Sequence, residues 1–153
     1  MQFNGVVSSR SSLHPQGGAV SPPGETEILR LNPKRREAIL AATGWHDLFP
    51  GTLNLEVDSG VVDGLLTFEP ALRECGANVI YPAAFSHIPA KRKGYLYYRA
   101  LVSFSARSLP GLVRRAIVPL PRRLEVFSEY RLRDNLLVND GDVVVCKILA
   151  GVY

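Results

Sequence analysis

The feature that most constrains this chain is its punctuation. Apolar residues arrive in short runs of strand length, and Gly or Pro closes most of them. Thirteen glycines and eleven prolines are spread through 153 residues, which leaves space for few long helices. Strands are expected at 2–8 (QFNGVVS), 26–31 (TEILRL), 52–57 (TLNLEV), 77–81, 95–104, 113–119, 123–127 and 142–149. One helix has matched start and stop signals: Asn32 as N-cap, Pro33 at the first helical position and Gly44 at the end. Ala38, Ile39, Ala42 and Trp45 would form its inner face. A short helix fits 130–137 before the turn Asn139-Asp140-Gly141, and one or two helical turns fit 69–75. Many short strands with few helices argue for a mainly β protein, a small barrel with helical decoration.

Length sets the expectation of a single domain spanning 1–153, large enough to bury roughly 68–70% of its extended surface. No disulfide or structural metal is then required, and Cys75 and Cys146 read as reduced thiols. His14, His46 and His87 lack the spacing of zinc ligands. No apolar run approaches the length of about 20 residues needed to span a bilayer. The opening MQFNGVVSSR has no charged segment leading into an apolar core, so no secretory signal is visible and a cytoplasmic location is expected. A net charge of +4 favours an anionic ligand without demanding nucleic acid. The basic cluster Lys91-Arg92-Lys93 beside Tyr95, Tyr97 and Tyr98 reads as a solvated loop entering a half-buried strand rather than a nucleic-acid surface. No G-x-x-x-x-G-K-[ST] or G-x-S-x-G pattern occurs, which removes the P-loop and nucleophile-elbow chemistries.

The densest candidate constellation is Pro50-Gly51-Thr52-Leu53-Asn54. In a strand Thr52 and Asn54 share a face while Leu53 and Leu55 share the other. A hydroxyl and a carboxamide are neutral, hard oxygen donors suited to a Mg²⁺ ion that keeps several waters and shares its charge with phosphates. The plainer alternative is an ordinary strand with a polar outer face. Similarly, Glu125 reads either as a functional carboxylate or as a solvated residue on an alternating strand. Arg131 and Arg133 read either as anion contacts or as surface partners of Asp134 and Glu129. Residues 9–25 read as a long loop rich in Ser, Gly and Pro, and loops of that length inside compact domains are usually functional or disordered.

The run Phe49-Pro50-Gly51-Thr52-Leu53-Asn54-Leu55-Glu56-Val57 resembles the signature of the archaeal-type CTP-dependent riboflavin kinases, a family with a cradle-loop barrel. Gly5 to Ser8 is similar to the family's first strand and Arg115 to Pro119 to its middle strand. Leu124 to Phe127, Tyr130 to Asp134 and Asn139 to Val143 resemble its closing segment, in the same order and at similar spacing. The resemblance implies a six-stranded cradle-loop-type β-barrel with two or three short helices, working as a monomer. It implies Mg²⁺-dependent transfer of the terminal phosphate of CTP, or of another nucleoside triphosphate, to riboflavin to give FMN. Thr52 and Asn54 would hold the metal, and Glu125 would contact the ribityl end of the substrate, orienting the attacking hydroxyl or taking its proton. Ser9, Arg10, Ser11, Ser12, Tyr130, Arg131, Leu132 and Arg133 would border the nucleotide.

The chain departs from the family at two places. The family's phosphate-wrapping loop is rich in glycine, whereas Ser9 to His14 contain none, so Arg10 and the serine hydroxyls would stand in for converging backbone amides. Before Glu125 the family carries a hydroxyl residue that contacts flavin, whereas this chain runs Pro119-Leu120-Pro121-Arg122-Arg123. Those departures support a second reading, a catalytically inactive barrel that binds a flavin, a nucleotide or nucleic acid.

Overall fold

A computed structural model describes residues 1–9, 25–75, 94–119 and 121–149. Seven strands form one antiparallel sheet: β1 (Gln2–Ser8), β2 (Leu53–Glu56), β3 (Leu72–Glu74), β4 (Tyr95–Phe104), β5 (Arg107–Ala116), β6 (Arg123–Phe127) and β7 (Val143–Ile148). The order β4-β5-β6-β2-β1-β7 closes where β7 pairs with β4, giving the expected six-stranded barrel with β3 as an addition. β4 carries both neighbours on one edge. Its Tyr95–Tyr97 portion pairs with β3, and Ala100 to Ser103 pair with β7. Closure pairs both edges of the six barrel strands, edges that would otherwise invite pairing with another chain.

Alternation along the strands sends Val7, Leu53, Leu55, Tyr98, Val102, Val113, Leu124, Val126 and Val144 into the barrel, where they form the main core. That core is tight enough to require glycine at two positions. A Cβ on Gly111 would lie 2.8 Å from Val126 and 2.9 Å from Val102, and one on Gly5 would lie 2.9 Å from Leu55. The helix α3 (Ser59–Gly64), with the 3₁₀ turn Leu65–Thr67, meets the Arg115 end of β5, where Arg115 Nε donates to the Val62 carbonyl at 2.8 Å. The helix α4 (Leu132–Leu136) meets the opposite end, near Arg107, and supplies Leu132 and Leu136 to the same core.

A second, smaller core lies outside the barrel wall. Leu29, Ile39 and Leu48 cover Tyr95, Tyr97, Leu112 and Phe127, so α1 (Glu25–Leu31) and α2 (Pro33–Thr43) lie over β4, β5 and β6. Arg35 fixes this layer through a bidentate pair with Glu74, at 2.9 and 2.8 Å, while Tyr97 Oη donates to the same carboxylate at 3.2 Å. Both faces of the Tyr95–Tyr98 segment are therefore buried, one in each core.

Several expected elements differ. Residues 26–31 form a helix rather than a strand, because their buried positions Ile28 and Leu29 are adjacent instead of alternating. Asn32 marks the boundary but caps differently from expectation: its Nδ2 donates back to the Ile28 carbonyl at 2.7 Å, finishing α1 rather than starting α2. Gly44 ends α2 in the left-handed conformation (φ 76°), with its N–H on the Leu40 carbonyl. The buried stripe of α2 is Arg35, Ile39 and Thr43, with Ala38, Ala42 and Trp45 only half-buried. Residues 72–74 are a strand, and the nearby helical turns lie earlier, in α3 and the 3₁₀ segment. β5 begins six residues before the expected 113, in a two-residue hairpin through Ser105-Ala106, with Ser105 at φ 54°. The helix near 130 is shorter than expected, since Arg131 is extended and caps α4. The described residues hold four short α-helices where two or three were expected. The expected strand at 77–81 and the cluster Lys91-Arg92-Lys93 lie outside the described residues, as does most of the 9–25 loop. No helix among the described residues is long and apolar enough to cross a membrane.

Neither cysteine is in a disulfide; Cys75 is exposed and Cys146 buried. Burial pushes the Cys146 thiol up to about 12, against an ordinary value near 9. The native protein should therefore react with a thiol reagent at Cys75 in seconds to minutes, and at Cys146 only after denaturant is added. Two fast thiols at neutral pH would contradict the packing of β7. Because the folded-state value is the higher one, the stabilising effect of the buried thiol is whole below about pH 9 and is lost as pH rises from there towards 12.

Candidate functional site

Thr52 and Asn54 are positioned by what their neighbours bury. Leu53 and Leu55 point into the barrel, so the alternation of β2 turns Thr52 and Asn54 to the outer face. Thr52 Oγ1 donates to Asn54 Oδ1 at 3.3 Å, placing the two oxygens side by side. The preceding Pro50-Gly51 turn is held by α1, where Thr26 Oγ1 donates to the Pro50 carbonyl at 2.5 Å.

Strand register extends this polar surface sideways. Ser8 of β1 pairs with Asn54, Asn54 with Glu125 of β6, and Glu125 with Arg114 of β5. Paired residues in an antiparallel ladder share a face, so the four side chains form one row across the outside of the barrel. Glu125 is not a freely solvated carboxylate. Its Oε2 accepts from Arg114 Nε at 2.9 Å and also from Arg114 Nη2. Arg114 is buried, with its guanidinium carbon 4.4 Å from the Tyr95 ring centroid and 5.0 Å from that of Phe127. Glu125 Oε1 accepts no hydrogen bond from a described residue, and the Glu125 side chain is the more exposed member of the pair.

Residues 128–133 approach from the other side. The buried Ser128 anchors them: its Oγ donates to the Pro110 carbonyl at 2.8 Å and accepts from the Tyr130 N–H at 3.3 Å. The Ser128 carbonyl accepts from Phe49 N–H at 2.9 Å, tying this segment to the start of the Pro-Gly turn. Arg131 pairs with Asp134 at 3.1 Å, and Arg133 Nη2 bridges Asp140 at 2.8 Å and the Ser8 carbonyl at 3.5 Å. The turn carrying Asp140 is locked to β1 by reciprocal bonds, Gly141 N–H to Val7 O and Val7 N–H to Asp142 O, both 2.8 Å.

Between these elements lies an open cavity of about 400 Å³. Thr52, Tyr130, Arg131, Leu132 and Arg133, all singled out from the sequence, line it. Asn54 and Glu125 stand beside it on the neighbouring row rather than in its lining. Ser9 is half-buried at the end of β1, while Arg10, Ser11 and Ser12 lie outside the described residues. Both arginines make the carboxylate pairs of the plainer sequence reading, Arg133 with Asp140 in place of the expected Asp134 or Glu129. An anion entering the cavity would compete with Asp134 and Asp140 for partly exposed guanidinium groups. Three residues of the site were missed by sequence reasoning. Thr26 and Phe49 line the cavity, and Arg114 holds Glu125. Thr26 was hidden by the expected strand at 26–31, whereas Phe49 adjoins the Pro-Gly turn and its position was a usable signal. Among the described residues no three His, Cys, Asp or Glu side chains gather as a metal-binding group. No protein-family model matches this chain, and no curated protein is similar to it in sequence.

Proposed function

We propose that this protein is a riboflavin kinase of the archaeal CTP-dependent type, moving the terminal phosphate of CTP or another nucleoside triphosphate to the ribityl 5′-hydroxyl of riboflavin. The observation that carries the reading is convergence. Thr52 from the P-G-T-L-N run and Tyr130 to Arg133 from the closing run, distant in sequence, line the same cavity beside Asn54 and Glu125.

The donor set suits Mg²⁺, because Thr52 Oγ1 and Asn54 Oδ1 are neutral oxygens 3.3 Å apart on one strand face. The ion would supply charge neutralisation at the phosphate oxygens during transfer. Arg131 and Arg133 add positive charge at the cavity wall and, by turning from their carboxylates, would bind phosphate oxygens. The Tyr130 ring, at the exposed rim, offers a face on which a nucleobase can stack. Arg114 occupies Glu125 Oε2 and leaves Oε1 without a bond from a described residue, so Oε1 could accept the hydrogen bond of the attacking hydroxyl and hold that oxygen in line. Phosphoryl transfer depends mostly on such positioning and on electrostatic stabilisation.

Incubation of the purified protein with riboflavin, Mg²⁺ and each of the four nucleoside triphosphates should yield FMN, detected chromatographically, with at least one donor. The second reading, a binding barrel without catalysis, is favoured by the lack of glycine between Ser9 and His14. Absence of FMN with every donor, together with salt-sensitive retention of flavin, nucleotide or nucleic acid, would select it.

A further inference from the structure

The end of β1 holds a hydroxyl that the fold leaves unsatisfied. Ser8 is 9% exposed, yet its Oγ has no hydrogen-bond partner among the described residues. A buried hydroxyl without a partner is costly, and native structures rarely keep one without a reason. The surroundings of Ser8 supply a reason. Val7 points into the barrel, so Ser8 faces outward with its register partner Asn54, beside the oxygen pair of β2. The Arg133 guanidinium, which lines the cavity, lies 3.5 Å from the Ser8 carbonyl, bringing positive charge to the same residue. A hydrogen-bond donor next to neutral oxygen ligands and a guanidinium matches the chemistry of a phosphate oxygen. The Arg133 guanidinium at the same residue favours an anion over a cation, and an apolar ligand would gain nothing from the hydroxyl.

We infer that Ser8 is a further ligand contact of this site, its hydroxyl donating to a phosphate oxygen of the bound nucleotide; this rests on the phosphotransferase reading above. The buried Tyr98 hydroxyl, also without a partner among the described residues, has Arg115, Arg73 and Glu69 as its charged neighbours, none of which lines the cavity. In the free protein the Ser8 hydroxyl is a cost, and in the complex it is a contact. Ser8→Ala should therefore move stability and affinity in opposite directions, which a purely structural serine cannot do.

The test compares wild type with Ser8→Ala. Thermal unfolding without ligand is measured first, then titration calorimetry with each nucleoside triphosphate plus Mg²⁺ and, separately, with riboflavin. Ser8→Ala should melt about 2–4 °C higher than wild type when free of ligand. It should bind the preferred nucleotide about tenfold or more weakly, as expected for a lost hydrogen bond to a charged group. Riboflavin affinity should be unchanged. Equal nucleotide affinity in the two proteins would overturn the inference and leave the functional reading intact. A lower melting temperature would overturn it too, by showing that the hydroxyl is bonded in the free fold. Failure of the wild type to bind any nucleotide would overturn the functional reading itself, and the inference with it.

Discussion

Thr52→Ala and Asn54→Ala should each lower FMN formation by about 100-fold or more while the protein unfolds at its normal temperature. The expectation separates function from structure because the two side chains do little for the fold. Each is half-buried, and the bond between them, at 3.3 Å, is long for one with a hydroxyl donor. β2 is held instead by Leu53 and Leu55 in the core and by ladders to β1 and β6, all of which both variants retain. Truncation removes one of two oxygens proposed to hold the divalent ion, and no His, Cys, Asp or Glu cluster among the described residues offers a substitute. Thr52→Ser, which keeps the hydroxyl, should stay within about tenfold of wild type. Steady-state rates at saturating Mg²⁺, paired with melting curves, provide the check. Full turnover in either alanine variant would end the assignment of Thr52 and Asn54 to the metal.

A large loss of stability is expected at Glu125. Its partner Arg114 is 4% exposed, while the Glu125 side chain is 38% exposed. Glu125→Leu strips the carboxylate from a guanidinium packed against Tyr95 and Phe127 under the helical layer. Breaking a buried pair from one side commonly costs about 3–5 kcal/mol; water reaching the exposed side of this one reduces the figure to about 2–3 kcal/mol. The midpoint of thermal unfolding should then drop by about 5–10 °C. Glu125→Gln keeps an acceptor for Arg114 and should cost about 1 kcal/mol, so it is the variant in which a catalytic defect can be measured on a folded protein. The double variant Arg114→Met with Glu125→Leu should regain much of the loss, because no charge is then left behind. A melting temperature for Glu125→Leu equal to that of wild type would mean that the pair adds nothing to the fold.

These two cases differ in how visible they were. Thr52 and Asn54 sit in a run whose period of two is set by Leu53 and Leu55, so their shared face follows from alternation alone. Glu125 also lies on an alternating strand, but its partner is eleven residues away on a strand whose true extent was hidden. β5 starts at Arg107 because Ser105-Ala106 makes a tight hairpin, and neither residue is the Gly, Asn or Asp that usually marks one. The neighbours Arg114 and Arg115 look like a solvated basic pair, yet both are buried. One stacks under the helical layer and the other closes the barrel end on the Val62 carbonyl. Residues 26–31 are ambiguous for a related reason. Six residues are too few to separate a helical from an extended period, and packing of Ile28 and Leu29 against the outer core settles the choice.

Sequence alone determined the mainly β barrel, the start and stop of α2, and the outward pairing of Thr52 with Asn54. Each of these is a matter of local period, capping or turn chemistry, which neighbouring residues impose on one another. Tertiary structure decided that β7 closes on β4, that α1 is a helix over the outer wall, that Arg114 holds Glu125, and that Ser8 is buried without a partner among the described residues. Those features depend on contacts between segments far apart in the chain, whose energies become available only once the barrel has closed.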